Sequence, residues 1–349
     1  MSPSSAPPPP HHRADGTFQN NYLEFEPASL ARVLRWKLDA ARHGLPKPPA
    51  TPIPQMQPAL DFLHANTGAA QRQPAVTWIG HSTVLAQFGG ISLLTDPVFS
   101  ERASPFGFVG PKRHQPPALA VDALPHIDLV VVSHNHYDHL DRASVTALGR
   151  QPGGSPLFVV PLGLAAWCRD CGLARVVELD WWQSHRMPVA GRDEIEIMLV
   201  PAQHWSARGL NDRMRTLWGG FAVLAPDCHL FFAGDTAYSP DFADIRAHLA
   251  SRQAPAAGGG FDIALLPIGA YAPRWFMASQ HVDVAEAVKI HLDIGAKRSL
   301  GIHWGTFSLT DEPLDEPPQK LLQECADRQI APGDFFTLAI GETRRLAPR

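Results

Sequence analysis

The stretch Val130–Asp141 reads VVVSHNHYDHLD: three valines, then three histidines and an aspartate within six positions. The valines favour a buried strand, and in extended chain residues two apart point to the same side. His134 and His136 can therefore grip one ion together, whereas the adjacent Asp138 and His139 need a turn at Tyr137 to face a neighbouring ion. Packing does not explain such a cluster, because buried imidazoles without a metal leave many polar atoms to satisfy. The spacing predicts a two-metal site at the end of a strand.

The remaining ligands are expected at the ends of other strands. "IMLVPAQHW" delivers His204, "HLFFAGDT" delivers Asp235 and "SLGIHWGTF" delivers His303. Each follows an apolar run, where a rigid scaffold holds a functional loop. His134, His136 and His204 are assigned to a first metal and Asp138, His139 and His303 to a second, with Asp235 between them. Ligation rich in imidazole favours two zinc ions per chain, with iron as the weaker alternative. Two ions about 3.5–4 Å apart would clamp a hydroxide and stabilise both the attacking and the leaving oxygens, giving metal-assisted hydrolysis with Asp138 and Asp235 in the chemistry. Asp96, in "LLTDPVF", is placed to hold a ligand imidazole by its other nitrogen. His81, in "GHSTV", reads either as a similar support or as a satisfied core histidine.

Working outward, "VTWIGHSTVLAQFGGISLLTDPVF" reads as strands with a hairpin turn at Gly89-Gly90. Further strands are expected in "IDLVVVS", "LFVVP", "RVVEL", "EIEIMLVPA", "GFAVLA", "HLFFAGD", "DIALLPI", "SLGIHW" and "FFTLAI". Helical patterns fall in "DRASVTALGR", "LGLAAWCRDCG" and "DVAEAVKIHLDIGAK", the last with Asp283 and Glu286 at capping-box spacing and Gly295 beyond its end. Strands interspersed with helices predict an α/β sandwich, two packed sheets flanked by helices.

Ahead of this domain, taken as 76–349, residues 1–25 read as a disordered Pro-rich leader, and 26–75 as an amphipathic helix followed by a Pro-rich linker. The helix, over Glu26–Arg42, has Ser29 as N-cap and Gly44 as its stop. Leu30, Val33, Leu34, Leu38 and Ala41 form its apolar stripe, either packed on the domain or laid on an anionic membrane surface.

The chain carries 30 Lys+Arg against 34 Asp+Glu, which gives no footprint for nucleic-acid binding. No run approaches the roughly 18 apolar residues that span a bilayer. Four cysteines are too few for a disulfide framework in 349 residues, so a reducing, cytoplasmic setting is expected, and Cys168 and Cys171 read as a structural thiol pair.

These residues resemble the metallo-β-lactamase fold and, within it, the N-acylphosphatidylethanolamine-hydrolysing phospholipase D family. The resemblance rests on "GHSTV", "TDPVFSERASPFGFVGPKRH", "SHNHYDHLD", "VPLGL", "ELDWW", "QHW", "FFAGDT", "PIGAYAPRWFM", "QHVD" and "IHWGTF", from about Thr77 to the "DFF" ending at Phe336. It implies an αββα sandwich with a dinuclear zinc site at one edge. It also implies cleavage of the phosphodiester between phosphatidic acid and an N-acylethanolamine, by a metal-bridging hydroxide attacking phosphorus. Tyr137, Gln280 and His281 would contact the substrate, His281 also acting in catalysis, and a homodimer is implied as well. The helix opened by Asp283 adds a phosphate-friendly N-terminus beside His281.

Two other readings compete. One keeps the site and changes the substrate to a small soluble ester, as in a lactonase or phosphodiesterase. The other is a non-catalytic lipid- or metal-sensing module, against which stands the complete set of expected ligands.

Overall fold

A computed structural model describes residues 9–23, 28–71, 73–209 and 211–349. Its strands are β1 (Ala75–Gly80), β2 (Thr83–Phe88), β3 (Ile91–Thr95), β4 (Leu129–Val131), β5 (Leu157–Pro161), β6 (Val176–Leu179) and β7 (Ser184–Met187). They continue with β8 (Ile195–Val200), β9 (Gly220–Ala225), β10 (Cys228–Phe232), β11 (Ile263–Pro267), β12 (Ser299–Ile302), β13 (Phe335–Phe336) and β14 (Thr343–Arg345). One seven-stranded sheet has the order β14-β1-β2-β3-β4-β5-β6, and the other β13-β12-β11-β10-β9-β8-β7. β3 to β6 run parallel, as do β10 to β13. Both sheets are mixed, and helices flank them, as the sandwich reading expects.

Side-chain alternation explains why the central strands read as unbroken apolar runs. Leu129 and Val131 of β4 enter the core between the sheets, while Val130 and Val132 enter a second cluster with Val145, Leu148 and Cys168 of the covering helices. Leu157 and Val159 of β5 repeat the pattern against Phe158 and Val160. A strand covered on both faces has no polar face to show. The hairpin between β2 and β3 turns at Gly89 and Gly90, with φ of 60° and 82°, values that a two-residue turn of this hand requires. Cys168, Cys171, Cys228 and Cys325 are all free and buried, and burial pushes the Cys168 thiol up to about 12.

The region before β1 departs from expectation. Residues 1–8 and 24–27, Glu26 among them, lie outside the described residues, but 9–23 lie against the domain instead of forming part of a disordered leader. Phe18 is buried as part of the main hydrophobic cluster, and its backbone N–H donates to the Met214 carbonyl at 2.8 Å. Apolar Phe18 and the paired His11 and His12 give this stretch something to bury, which its proline count conceals. The proline-rich linker likewise packs: Ile53 is buried, the Met56 N–H donates to the Ile340 carbonyl at 2.8 Å, and Leu60–Ala65 is helical with Leu63 in the core.

The amphipathic helix runs over Leu30–His43, with Ser29 accepting from the Arg32 N–H and Gly44 closing it in the left-handed region. Its stripe faces outward: Leu30, Leu34 and Leu38 are exposed. Trp36 and Ala40 dock it instead, packing with Met277 and Phe276, and Trp36 Nε1 donates to Asp311 Oδ2 at 2.8 Å. One indole with a polar handle outweighs three leucines in deciding which face is buried.

Candidate metal centre

The C-terminal ends of β3, β4, β8, β10 and β12 meet along one edge of the sandwich and carry Asp96, the 134–139 loop, His204, Asp235 and His303. The sheets approach closely there. A Cβ on Gly234, after β10, would lie 2.6 Å from Ser133 Cβ, after β4 of the other sheet; within the second sheet, one on Gly269 would lie 2.2 Å from the His303 carbonyl oxygen. His81, Asp96 and His303 hold φ values of 55°, 31° and 61°, a left-handed backbone that side chains adopt reluctantly and that clusters at functional sites.

Two groups of donors form. His134 Nε2 lies 2.8 Å from His136 Nδ1, and His204 Nε2 lies 3.3 Å from that same atom. His303 Nε2 lies 3.2 Å from His139 Nε2, with Asp138 Oδ2 3.4 and 3.5 Å from the two. Asp235 joins the groups: Oδ2 is 3.9 Å from both His134 Nε2 and His204 Nε2 and 3.1 Å from His139 Nε2, and Oδ1 is 3.2 Å from His303 Nε2. All seven residues proposed from the sequence as ligands therefore converge.

Outer contacts fix which nitrogens point inward. His139 Nδ1 donates to Asp96 Oδ2 at 2.6 Å and His204 Nδ1 to the Gln280 carbonyl at 2.9 Å. Asp96 also takes the Ser133 backbone N–H and hydroxyl, and that hydroxyl meets His134 Nδ1 at 2.9 Å. His81 Nε2 reaches Asp138 Oδ2 at 3.1 Å, and its ring packs on His303 with centroids 4.0 Å apart, so it serves as a support.

This arrangement fits a metal pair. With Nδ1 of His139 and His204 spent as donors, their Nε2 lone pairs face carboxylate oxygens of Asp235, a repulsive pairing unless positive charge lies between. Atoms bound tetrahedrally at about 2.0–2.1 Å sit roughly 3.4 Å apart, which is the spacing observed. Asp235 Oδ1, moreover, is buried with no hydrogen-bond partner among the described residues. Imidazole-rich sets with a shared carboxylate suit a divalent transition metal.

The electrostatics divide the site. Burial foremost, then the neighbouring imidazoles, hold His134 and His136 well below the ordinary imidazole range. Burial brings His204 to about 4. Burial also opposes charge on His139 and His303, but Asp235 and Asp138 outweigh it, raising His139 well above the ordinary range and His303 to about 9. Burial likewise opposes charge on the two carboxylates, yet the surrounding imidazoles hold both well below the usual range.

The three residues implied by family likeness as substrate contacts are placed differently from one another. His281 stands at the rim, Nδ1 3.9 Å from Asp235 Oδ2 and without a hydrogen-bond partner among the described residues; burial brings it to about 3. Gln280 turns its side chain onto Met277 Sδ and meets the centre through its carbonyl. The Tyr137 hydroxyl donates to the Arg208 carbonyl at 3.0 Å, under a guanidinium 4.0 Å from its ring centroid. Arg208 was not singled out from sequence. Its Nη1 donates to the carbonyls of Asn135 and Leu140, at 2.8 and 2.7 Å, and so clamps both ends of the ligand loop. Its only sequence signal is an arginine shortly after His204.

A family model described as a β-lactamase superfamily domain matches residues 92–304, which span all seven donors. Fold and site thus define a metal-dependent hydrolase of the metallo-β-lactamase type. An uncharacterized protein of Mycobacterium tuberculosis is 42% identical over 334 residues, covering 92% of this chain and 81% of its own. N-acyl-phosphatidylethanolamine-hydrolyzing phospholipase D 1 of Caenorhabditis elegans is 39% identical over 290 residues, covering 81% of this chain and 77% of its own. The solved structure of a metallo hydrolase from Ignicoccus hospitalis superposes with a TM-score of 0.58 at 20% identity, over 78% of this chain and 98% of that one. The chain belongs to the N-acylphosphatidylethanolamine-hydrolysing phospholipase D family of the β-lactamase superfamily.

Proposed function

We propose that the protein is a zinc-dependent phosphodiesterase that hydrolyses N-acylphosphatidylethanolamine-like phospholipids to N-acylethanolamine and phosphatidic acid. The observation that carries this reading is Asp235, whose two oxygens reach both groups of imidazoles within 3.9 Å. His134, His136 and His204 would hold one zinc ion, and Asp138, His139 and His303 the other, with Asp235 shared. When bound, such a pair supplies Lewis acidity, lowering the pKa of water and neutralising phosphoryl oxygens. The chain's own residues orient that chemistry: Asp96 and the Gln280 carbonyl fix the rings of His139 and His204. Neutral His281, at the rim, is placed to donate or accept a hydrogen bond at the scissile phosphate.

Two surface features support a lipid substrate. The outward stripe Leu30, Leu34 and Leu38 lies beside Arg32 and Arg35, whose guanidinia stack on Phe276 and Trp275 in the segment leading to His281. Apolar residues flanked by cations suit an anionic bilayer surface, although no helix of the described residues is long and apolar enough to cross a membrane. A recess of about 850 Å³ beyond Tyr137, lined by Arg102, Arg142 and Arg150, is open to acidic headgroups. The test is mass spectrometry of products from vesicles of N-acylated and ordinary phosphatidylethanolamine, incubated with the zinc-loaded protein. N-acylethanolamine with phosphatidic acid is expected; no product from either lipid sinks the reading.

A further inference from the structure

The chain from His11 to Leu23 crosses the loop that carries His204. His11 Nε2 and His12 Nε2 meet the two carboxylate oxygens of Asp180 at 2.6 and 2.7 Å. At the other end Asn21 Nδ2 donates to Asp241 Oδ1 at 2.7 Å, the Tyr22 hydroxyl donates to Asp244, and Gln203 Nε2 donates to the Leu23 carbonyl at 3.1 Å. Between these anchors Asn20 makes a two-point contact with the His204 backbone. Its Oδ1 accepts the His204 N–H at 3.1 Å and its Nδ2 donates to the His204 carbonyl at 3.0 Å. Trp218 Nε1, buried beneath, also donates to Asn20 Oδ1 at 3.1 Å.

His204 is wholly buried and lies past the end of β8, in a stretch without regular secondary structure. Buried backbone groups need partners, and no strand ladder supplies them here. One amide side chain, 184 residues away in sequence, supplies both. The His204 ring is held separately, through Nδ1 on the Gln280 carbonyl. Backbone and ring together have two fixed ends, and Nε2 is thereby aimed at His136 and Asp235.

We propose that Asn20 is a positioning residue for the first metal position, so that the segment His11–Leu23 is part of the metal centre. The inference rests on His204 being a ligand, as proposed above. Asn20 lies far outside the residues that match the superfamily domain.

The experiment measures zinc affinity at each position by chelator competition, with metal content, on the full chain and four variants. His204→Ala is expected to lose tight binding at one position. Asn20→Ala should weaken that same position about 10–100-fold, the usual effect of removing a partner that orients a ligand, and leave the other unchanged. Asn21→Ala, which frees the segment from Asp241 without touching His204, should move neither. Asn20→Asp keeps the acceptor for the His204 N–H but sets a carboxylate oxygen against the His204 carbonyl that Asn20 Nδ2 now serves, so it should weaken the same position at least as much as alanine does; it also carries the test if the alanine variant does not fold. Unchanged affinity in both Asn20 variants overturns the proposal, and so does equal weakening by Asn21→Ala. Two tight metals in His204→Ala overturn the ligand assignment and the proposal together, whatever lipid the enzyme cleaves.

Discussion

The two proposed metal positions are opposite in charge arrangement although one loop feeds both. Around His134, His136 and His204, burial and mutual repulsion keep the imidazoles neutral. Around His139 and His303, Asp138 and Asp235 draw positive charge in, so that without metal a proton stands where an ion would. The first position is a neutral cage whose counter-charge comes from Asp235; the second is a balanced ion cluster. On the proposed assignment, one shared carboxylate would serve two differently built sites.

Asp235 is where the comparison breaks most completely. Asp235→Asn is expected to reduce turnover below detection and to release at least one zinc ion, read by product analysis and metal content. A variant that keeps both metals and activity would refute the shared role.

Changing the pH should separate the positions. His303 is raised to about 9, so in the metal-free protein it holds its proton below that value, and an incoming ion must displace it. Affinity at the second position should therefore fall about tenfold per pH unit for each displaced proton as pH drops below about 9. The first position should stay nearly level down to about pH 4, where His204 begins to take up a proton. Zinc retention measured at pH 6 and pH 8 checks this; parallel loss from both positions would contradict it.

Asp96→Ala should sharpen the contrast from the other side. It removes the acceptor for His139 Nδ1 and should weaken the second position about 10–100-fold. Arg208→Ala removes two charged hydrogen bonds to the ligand loop and should destabilise the fold by about 2–4 kcal/mol, seen as a lower Tm. Smallest of all, Leu34→Ala should leave stability within about 0.5 kcal/mol, since its side chain is exposed, while reducing co-sedimentation with anionic vesicles.

What the sequence made legible was local. The 134–139 loop announces itself because its residues are neighbours, and the other donors follow because each ends an apolar strand. The N-cap at Ser29, the capping box of Asp283 and Glu286, and the Gly89-Gly90 turn are likewise short-range and are present. The missing pieces are long-range. Asn20 meets His204 across 184 residues, and nothing periodic marks an asparagine as a clamp. β7, reading SHRM, is a half-exposed edge strand with no apolar alternation to betray it. The Leu30–Leu34–Leu38 stripe misled because a helix moment shows only that two faces differ, while the docking is decided by Trp36 finding Asp311.

The four buried thiols make the protein its own unfolding gauge. Cys168 is on the buried face of the helix Ala165–Asp170 that covers the first sheet and Cys171 caps that helix, Cys228 is in a central strand of the second sheet, and Cys325 is on the buried face of the helix Glu316–Asp327. An alkylating reagent can reach each only after its own layer opens. The order in which the four become labelled would therefore show which side of the sandwich parts first, and whether added metal joins the two sheets into one cooperative unit.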